Sequence, residues 1–110
     1  MEIQRLKELL DSGEVELVDT RELYEVERAR IPGARHLELN DLTAQADSFD
    51  RERPLVFYCR SGDRSSMPAD AFRSDGFDAY NLAGGILAWQ EAGLPLEPED
   101  AEVVERQVHD

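Results

Sequence analysis

Cys59 is the only cysteine in the chain, and it opens the stretch CRSGDRSS, residues 59–66, directly after the apolar run PLVFY. In the simplest case a lone cysteine after such a run is a small buried hydrophobe. The next residues argue otherwise. The chain switches at once to RSGDRSS, which no core would accommodate, so Cys59 falls at the carboxyl end of a strand, where open α/β sheets place their ligand crevices. Gly62 gives the backbone freedom to curl a loop whose amides face inward as an anion nest. A helix beginning just beyond would add its unpaired N–H groups and its dipole. With Arg60 and Arg64 close by, these features favour thiolate over thiol, the reactive form for sulfur, phosphoryl or disulfide chemistry. Cys59 therefore reads as a nucleophile.

The elements that must position it follow from periodicity and punctuation. Ile3, Leu6, Leu9 and Leu10 fall at helical spacing, and DSG at 11–13 closes that segment. VELVD at 15–19 reads as a buried strand. TRELYEVERA at 20–29 suits a short helix with Thr20 as its cap and Glu22 and Glu25 in the first turns. IPGA at 31–34 is a turn, RHLEL a brief strand, and NDLTAQADSF a helix capped by Asn40 or Asp41. LVFYC is the clearest strand. A helix from near Ser65 to about Asp75 follows, with Pro68 in its first turn, where backbone donors have no partner anyway. FDAYNL is a further strand, and GGILAWQEAG a turn and helix. Strand and helix alternate from residue 15 onward, which favours an α/β domain with a mostly parallel sheet. The acidic segment 97–110, with Val103, Val104 and Val108 as its apolar set, reads as a terminal helix or a frayed, loosely docked tail.

Bulk properties bound the answer. A chain of 110 residues with 41% hydrophobic residues makes one domain able to bury a core without staples. One cysteine cannot form an internal disulfide. No apolar stretch nears the roughly 20 residues that span a bilayer, and the first residues lack a signal-peptide pattern, so a cytoplasmic protein is expected. The net charge is −13, which repels phosphate backbones and anionic lipid and disfavours nucleic acid and membranes as partners. Lys7 is the only lysine against eleven arginines. An acidic, lysine-poor chain fits a salt-rich cytoplasm, where screening shortens self-repulsion, and equally a GC-rich genome.

Spacing narrows the substrate. A tyrosine-phosphatase loop places arginine six positions after its cysteine, to clamp a tetrahedral phosphate. Here that position is Ser65, and Arg64 comes one residue early. A tighter loop suits a smaller charged group, such as the terminal sulfur of a persulfide.

Four stretches in order carry a family resemblance. CRSGDRS is similar to the active-site loop of single-domain rhodaneses, the rhodanese-like sulfurtransferase family. LVDTRELYE at 17–25 resembles their first signature, IPGARHL at 31–37 their Ile-Pro-Gly-Ala turn, and LAGGILAWQEAGLP at 82–95 their closing signature. Arg30 stands where family members often have histidine, and Met67–Pro68 where good helix formers are usual.

The resemblance implies a rhodanese-like α/β fold, a five-stranded mostly parallel sheet flanked by helices on both faces, with the domain over 1–96 and the tail beyond. It implies that the Cys59 thiolate takes the outer sulfur of a donor such as thiosulfate, becomes a persulfide, and passes the sulfur to a thiol, to cyanide or to a partner protein. The loop of Arg60, Ser61, Gly62, Asp63, Arg64 and Ser65 would hold the persulfide, and Asp19 and Arg21 would brace the loop. Trp89 and Gly84–Gly85 would serve packing and turning. Asp63 is a solvated residue, and His36 and His109 lack metal-ligand spacing. No metal or organic cofactor is implied. The other readings are arsenate- or phosphate-type chemistry on the same loop, a non-catalytic partner-binding domain, and a relay subunit serving thiolation of tRNA or cofactor synthesis. Glu22, Glu25 and Glu27 would disfavour a dianion if they face the pocket.

Overall fold

The computed structural model describes residues 1–106 of the chain. Helix α1 (Ile3–Ser12) buries Leu6 and Leu9 and stops at Gly13, whose φ of 74° permits the left-handed turn that closes it. Strand β1 (Glu16–Asp19) leads into helix α2 (Leu23–Arg28), then strand β2 (Arg35–His36). Two 3₁₀ segments, Leu39–Asp41 and Thr43–Ser48, precede strand β3 (Leu55–Tyr58). Helix α3 (Asp63–Ser74), strand β4 (Ala79–Asn81) and helix α4 (Gly85–Glu91) complete the order.

The sheet runs β2-β1-β3-β4, and every pairing is parallel. Alternation along the strands sends Leu17, Val56 and Tyr58 to one face, against Leu6 and Leu9 of α1 and Ile86 and Trp89 of α4. Val18, Leu55 and Phe57 go to the other face, against Ala69 and Phe72 of α3 and Leu42 and Phe49 of the 3₁₀ region. That second core is aromatic: Phe72 lies 5.1 Å from Phe57 and 5.0 Å from Phe77, ring centre to ring centre. Among the described residues, no helix is long and apolar enough to cross a membrane.

Chain order places the site. From β1 the chain adds β2 on one side and then returns to add β3 on the other. The switch point therefore falls between the carboxyl ends of β1 and β3, the position where open α/β sheets leave a crevice. Thr20 and Cys59 are the residues that leave those two strands.

Four expectations are corrected. The sheet has four strands among the described residues rather than five. The remaining extended contact is a single antiparallel bridge, Arg30 with Glu97, and on one side the next hydrogen-bonding pair would be Pro32 with Pro95, neither of which has an N–H to lengthen it. Thr20 does not cap α2. Glu22 does, in a capping box with Glu25, while the Thr20 hydroxyl donates to the Tyr58 carbonyl at 3.0 Å. NDLTAQADSF forms 3₁₀ turns rather than an α-helix. Its Asn, Asp, Thr and Ser side chains compete for backbone groups, as Ser48 does by donating to the Gln45 carbonyl at 2.6 Å. Helix α3 begins at Asp63, two residues earlier than expected, so Pro68 lies beyond the first turn and removes the N–H that would meet the Arg64 carbonyl.

From Glu97 onward the chain has no helix up to residue 106. It is nonetheless attached: Arg30 and Glu97 exchange two backbone hydrogen bonds of 2.9 Å, and the Glu102 amide donates to the Arg28 carbonyl at 2.9 Å. Ala101 and Val103 pack on the α1/α4 core. Val108, His109 and the rest of 107–110 lie outside the described residues.

Candidate active site

Cys59 is buried at the end of β3, and its Sγ accepts the Gly62 N–H at 3.1 Å. Gly62 makes this possible with φ of 103°, a backbone that strains any other residue. It is also the N-cap of α3, so the sulfur sits where that helix's unpaired amides and positive dipole end favour an anion. Ser65 Oγ lies 3.4 Å from the same sulfur and 2.5 Å from Asn81 Oδ1. A hydroxyl has one proton to give, and the short bond to Asn81 claims it. The persistent donor to sulfur is therefore the Gly62 amide. Asn81 also donates from Nδ2 to the Gly62 carbonyl at 3.0 Å, tying β4 to both sides of the loop.

The loop is held from behind by α4. The Ile86 and Leu87 amides donate to the Cys59 and Arg60 carbonyls at 3.0 and 3.1 Å. Gly85 permits the approach: a Cβ there would stand 2.5 Å from both carbonyl oxygens, and its φ of 58° is left-handed. Trp89, buried behind it, donates its indole N–H to the Pro95 carbonyl at 2.7 Å.

The two arginines of the loop do not both face the sulfur as free charges. Arg64 forms a two-pronged pair with Glu25, Nη1 to Oε1 at 2.7 Å and Nη2 to Oε2 at 2.8 Å. Burial pushes the Glu25 carboxyl up, but the hydrogen bonds from Arg64 and the Glu22 amide, together with the Arg64 and Arg21 charges, outweigh it and hold the group below its ordinary range. The Glu25 hydrogen bonds in turn raise Arg64. Arg60 Nη2 stands 3.9 Å from Glu105. Asp63 is exposed in the first turn of α3 and accepts the Ser61 hydroxyl at 3.2 Å.

Asp19 and Arg21 form a buried bracket behind the site. Arg21 donates from Nε and Nη2 to the two Asp19 oxygens at 3.0 and 2.7 Å, and from Nη2 to the Ala29 carbonyl at the end of α2 at 2.6 Å. Burial pushes Arg21 down, but the Asp19 hydrogen bond and charge outweigh it and raise the group. Its guanidinium lies 5.6 Å from the centre of the Tyr58 ring, and burial drives that phenol well above its ordinary value. His36 Nε2 bonds the Arg21 carbonyl at 2.6 Å. The bracket so fixes α2, α2 carries Glu25, and Glu25 holds the loop through Arg64.

A cleft of about 110 Å³ opens beside the switch point, lined by Thr20, Glu22, Glu38, Arg64 and Arg106 among others. Of the three glutamates in question, Glu22 lines the cleft, Glu25 is buried against Arg64, and Glu27 is exposed. Two members of the site escape a reading of the sequence. Asn81 gives no signal beyond a polar residue at a strand's end. Glu25 stands out only as an acid near the first signature, because its partner lies 39 residues away.

Known proteins with the same pattern bear on this geometry. The rhodanese-like domain family matches residues 2–92. A sulfurtransferase of Allochromatium vinosum is 36% identical over 89 residues, 80% of this chain and 83% of that protein. Thiosulfate sulfurtransferase GlpE of Shewanella oneidensis is 32% identical over 93 residues, 84% of this chain and 92% of that one. A rhodanese-related protein from Thermoplasma volcanium has the same fold, with a TM-score of 0.80 at 22% identity, covering 87% of this chain and 94% of its own. The chain belongs to the rhodanese-like domain family.

Proposed function

We propose that the chain is a sulfurtransferase with Cys59 as its sulfur carrier. The thiolate attacks the outer sulfur of thiosulfate, a new S–S bond forms at Sγ, the old S–S bond breaks, and sulfite leaves with the bonding pair. Charge balances, since thiolate and dianion become persulfide anion and dianion. A thiolate acceptor then takes the outer sulfur and Cys59 is regenerated. The observation that carries this reading is the Gly62 amide on Cys59 Sγ at the N-terminus of α3, a fixed donor aimed at a sulfur anion. The remaining amides of 60–65 cradle the terminal sulfur, and Arg64, matched by Glu25, shapes the loop rather than clamping substrate. Relatives named sulfurtransferase support this reading.

The test is the intact mass of the protein after incubation with thiosulfate, beside a Cys59→Ser control. A gain of one sulfur atom, reversed by cyanide and absent from the control, is the expected result. No gain from folded protein with Cys59 reduced would overturn thiosulfate as donor.

A further inference from the structure

Residues 97–106 follow the part of the chain shared with the family, yet they are laid beside the reactive loop. After the bridge at Glu97 and the backbone bond at Glu102, the last two described residues face two different elements. Glu105 Oε1 stands 3.9 Å from Arg60 Nη2, and Arg106 Nε stands 3.8 Å from Glu22 Oε2. Among the described residues, three buried side-chain polar atoms have no hydrogen-bond partner, and two of them are Glu22 Oε2 and Arg60 Nε. The tail thus brings opposite charges to two side chains that the domain leaves incompletely satisfied.

The charge census of the cleft gives this contact a consequence. Its charged wall consists of Glu22, Glu38, Arg64 and Arg106. Arg64 is already matched by Glu25. The unmatched charges are two carboxylates and one guanidinium, so without Arg106 the cleft would be purely acidic on a chain whose net charge is −13. An anion entering the cleft would then pass two uncompensated carboxylates before it reached the amides of the loop.

We propose that Arg106 is a specificity-determining residue. It offsets Glu22 at the cleft lined by Thr20 and Arg64 and admits anionic sulfur donors, while Glu105 on Arg60 biases the tail toward this position. This rests on the reading of Cys59 as a sulfur carrier that draws on small anions.

Two alkylating agents of similar size separate charge from access. In each reaction the Cys59 thiolate forms a bond to carbon and iodide leaves with the electron pair; iodoacetate is an anion, and iodoacetamide is neutral. In Arg106→Ala the rate with iodoacetate should fall about two- to fivefold relative to iodoacetamide at low salt, and more in Arg106→Glu. Arg106→Lys should restore the ratio, and molar salt should erase the difference. Thiosulfate loading, measured by mass, should follow iodoacetate. An unchanged ratio, or an equal fall with both reagents, overturns the proposal. A shifted ratio in a protein that takes no sulfur from thiosulfate leaves Arg106 as an anion selector and removes the donor assigned to Cys59.

Discussion

Two charged assemblies meet at the carboxyl end of the sheet, and they differ in distance and surroundings. The bracket of Asp19, Arg21, Glu25 and Arg64 is largely buried, with hydrogen bonds of 2.6 to 3.0 Å. The tail's contacts through Glu105 and Arg106 stand at 3.8 to 3.9 Å, and Glu105 and Arg106 themselves are mostly open to water. Charges withdrawn from water attract strongly and cost much to separate, whereas solvated pairs are weak and screened by salt. The bracket can therefore fix geometry, and the tail can only bias it.

Removing one partner of the bracket is the strongest way to break this contrast. Arg21→Ala leaves the buried Asp19 carboxylate without its cation and should cost about 3–5 kcal/mol, read as a fall in the urea midpoint. A loss below about 1 kcal/mol would place the bracket in the same class as the tail.

Glu25→Gln sharpens the comparison through pH. The folded-state carboxyl lies below its ordinary range, so its contribution is complete above the unfolded value, about pH 4.3, and is lost as pH falls through the lower folded value. The variant should be less stable by about 2 kcal/mol at neutral pH. In urea melts from neutral pH down to about pH 3, below the unfolded value, the gap between wild type and variant should narrow toward the acid end. A gap that stays constant would show that the Glu25 charge does not supply the stability.

The smallest effect belongs to the tail. Glu102 pairs with Arg28 on the surface, both side chains more than half exposed. Glu102→Gln should cost under about 1 kcal/mol and nothing measurable in molar salt; a salt-independent loss would mean the contact is more than a screened pair.

The bracket and the loop also differ in how far they can be read from the sequence. Cys59, Gly62 and the strand before them are legible because local chemistry dictates them: an apolar run, then a glycine-bearing polar turn. Asp19 and Arg21 are legible as neighbours with opposite charge. The alternation of strands and helices is legible because burial imposes a period on each element. The pairing of Arg64 with Glu25 is not, because it depends on how β1 and β3 lie side by side, and no local pattern records that. Sequence alone accordingly puts Arg64 beside the sulfur as a free charge. Asn81 escapes notice for the same reason. NDLTAQADSF at 40–49 suggests a helix capped by Asn40 or Asp41, but its polar side chains favour shorter turns.

Gly85 carries a consequence for how such a site can change over time. Its backbone touches the carbonyls on which the nucleophile hangs, and a single added carbon would collide with both. That wall of the site tolerates no experiment, whichever sulfur compound the protein uses. The cleft beside the switch point is lined instead by partly exposed side chains, among them Glu38 and Arg106, where substitution meets less resistance. New substrate preferences would enter from that side, while the reactive loop is inherited unchanged.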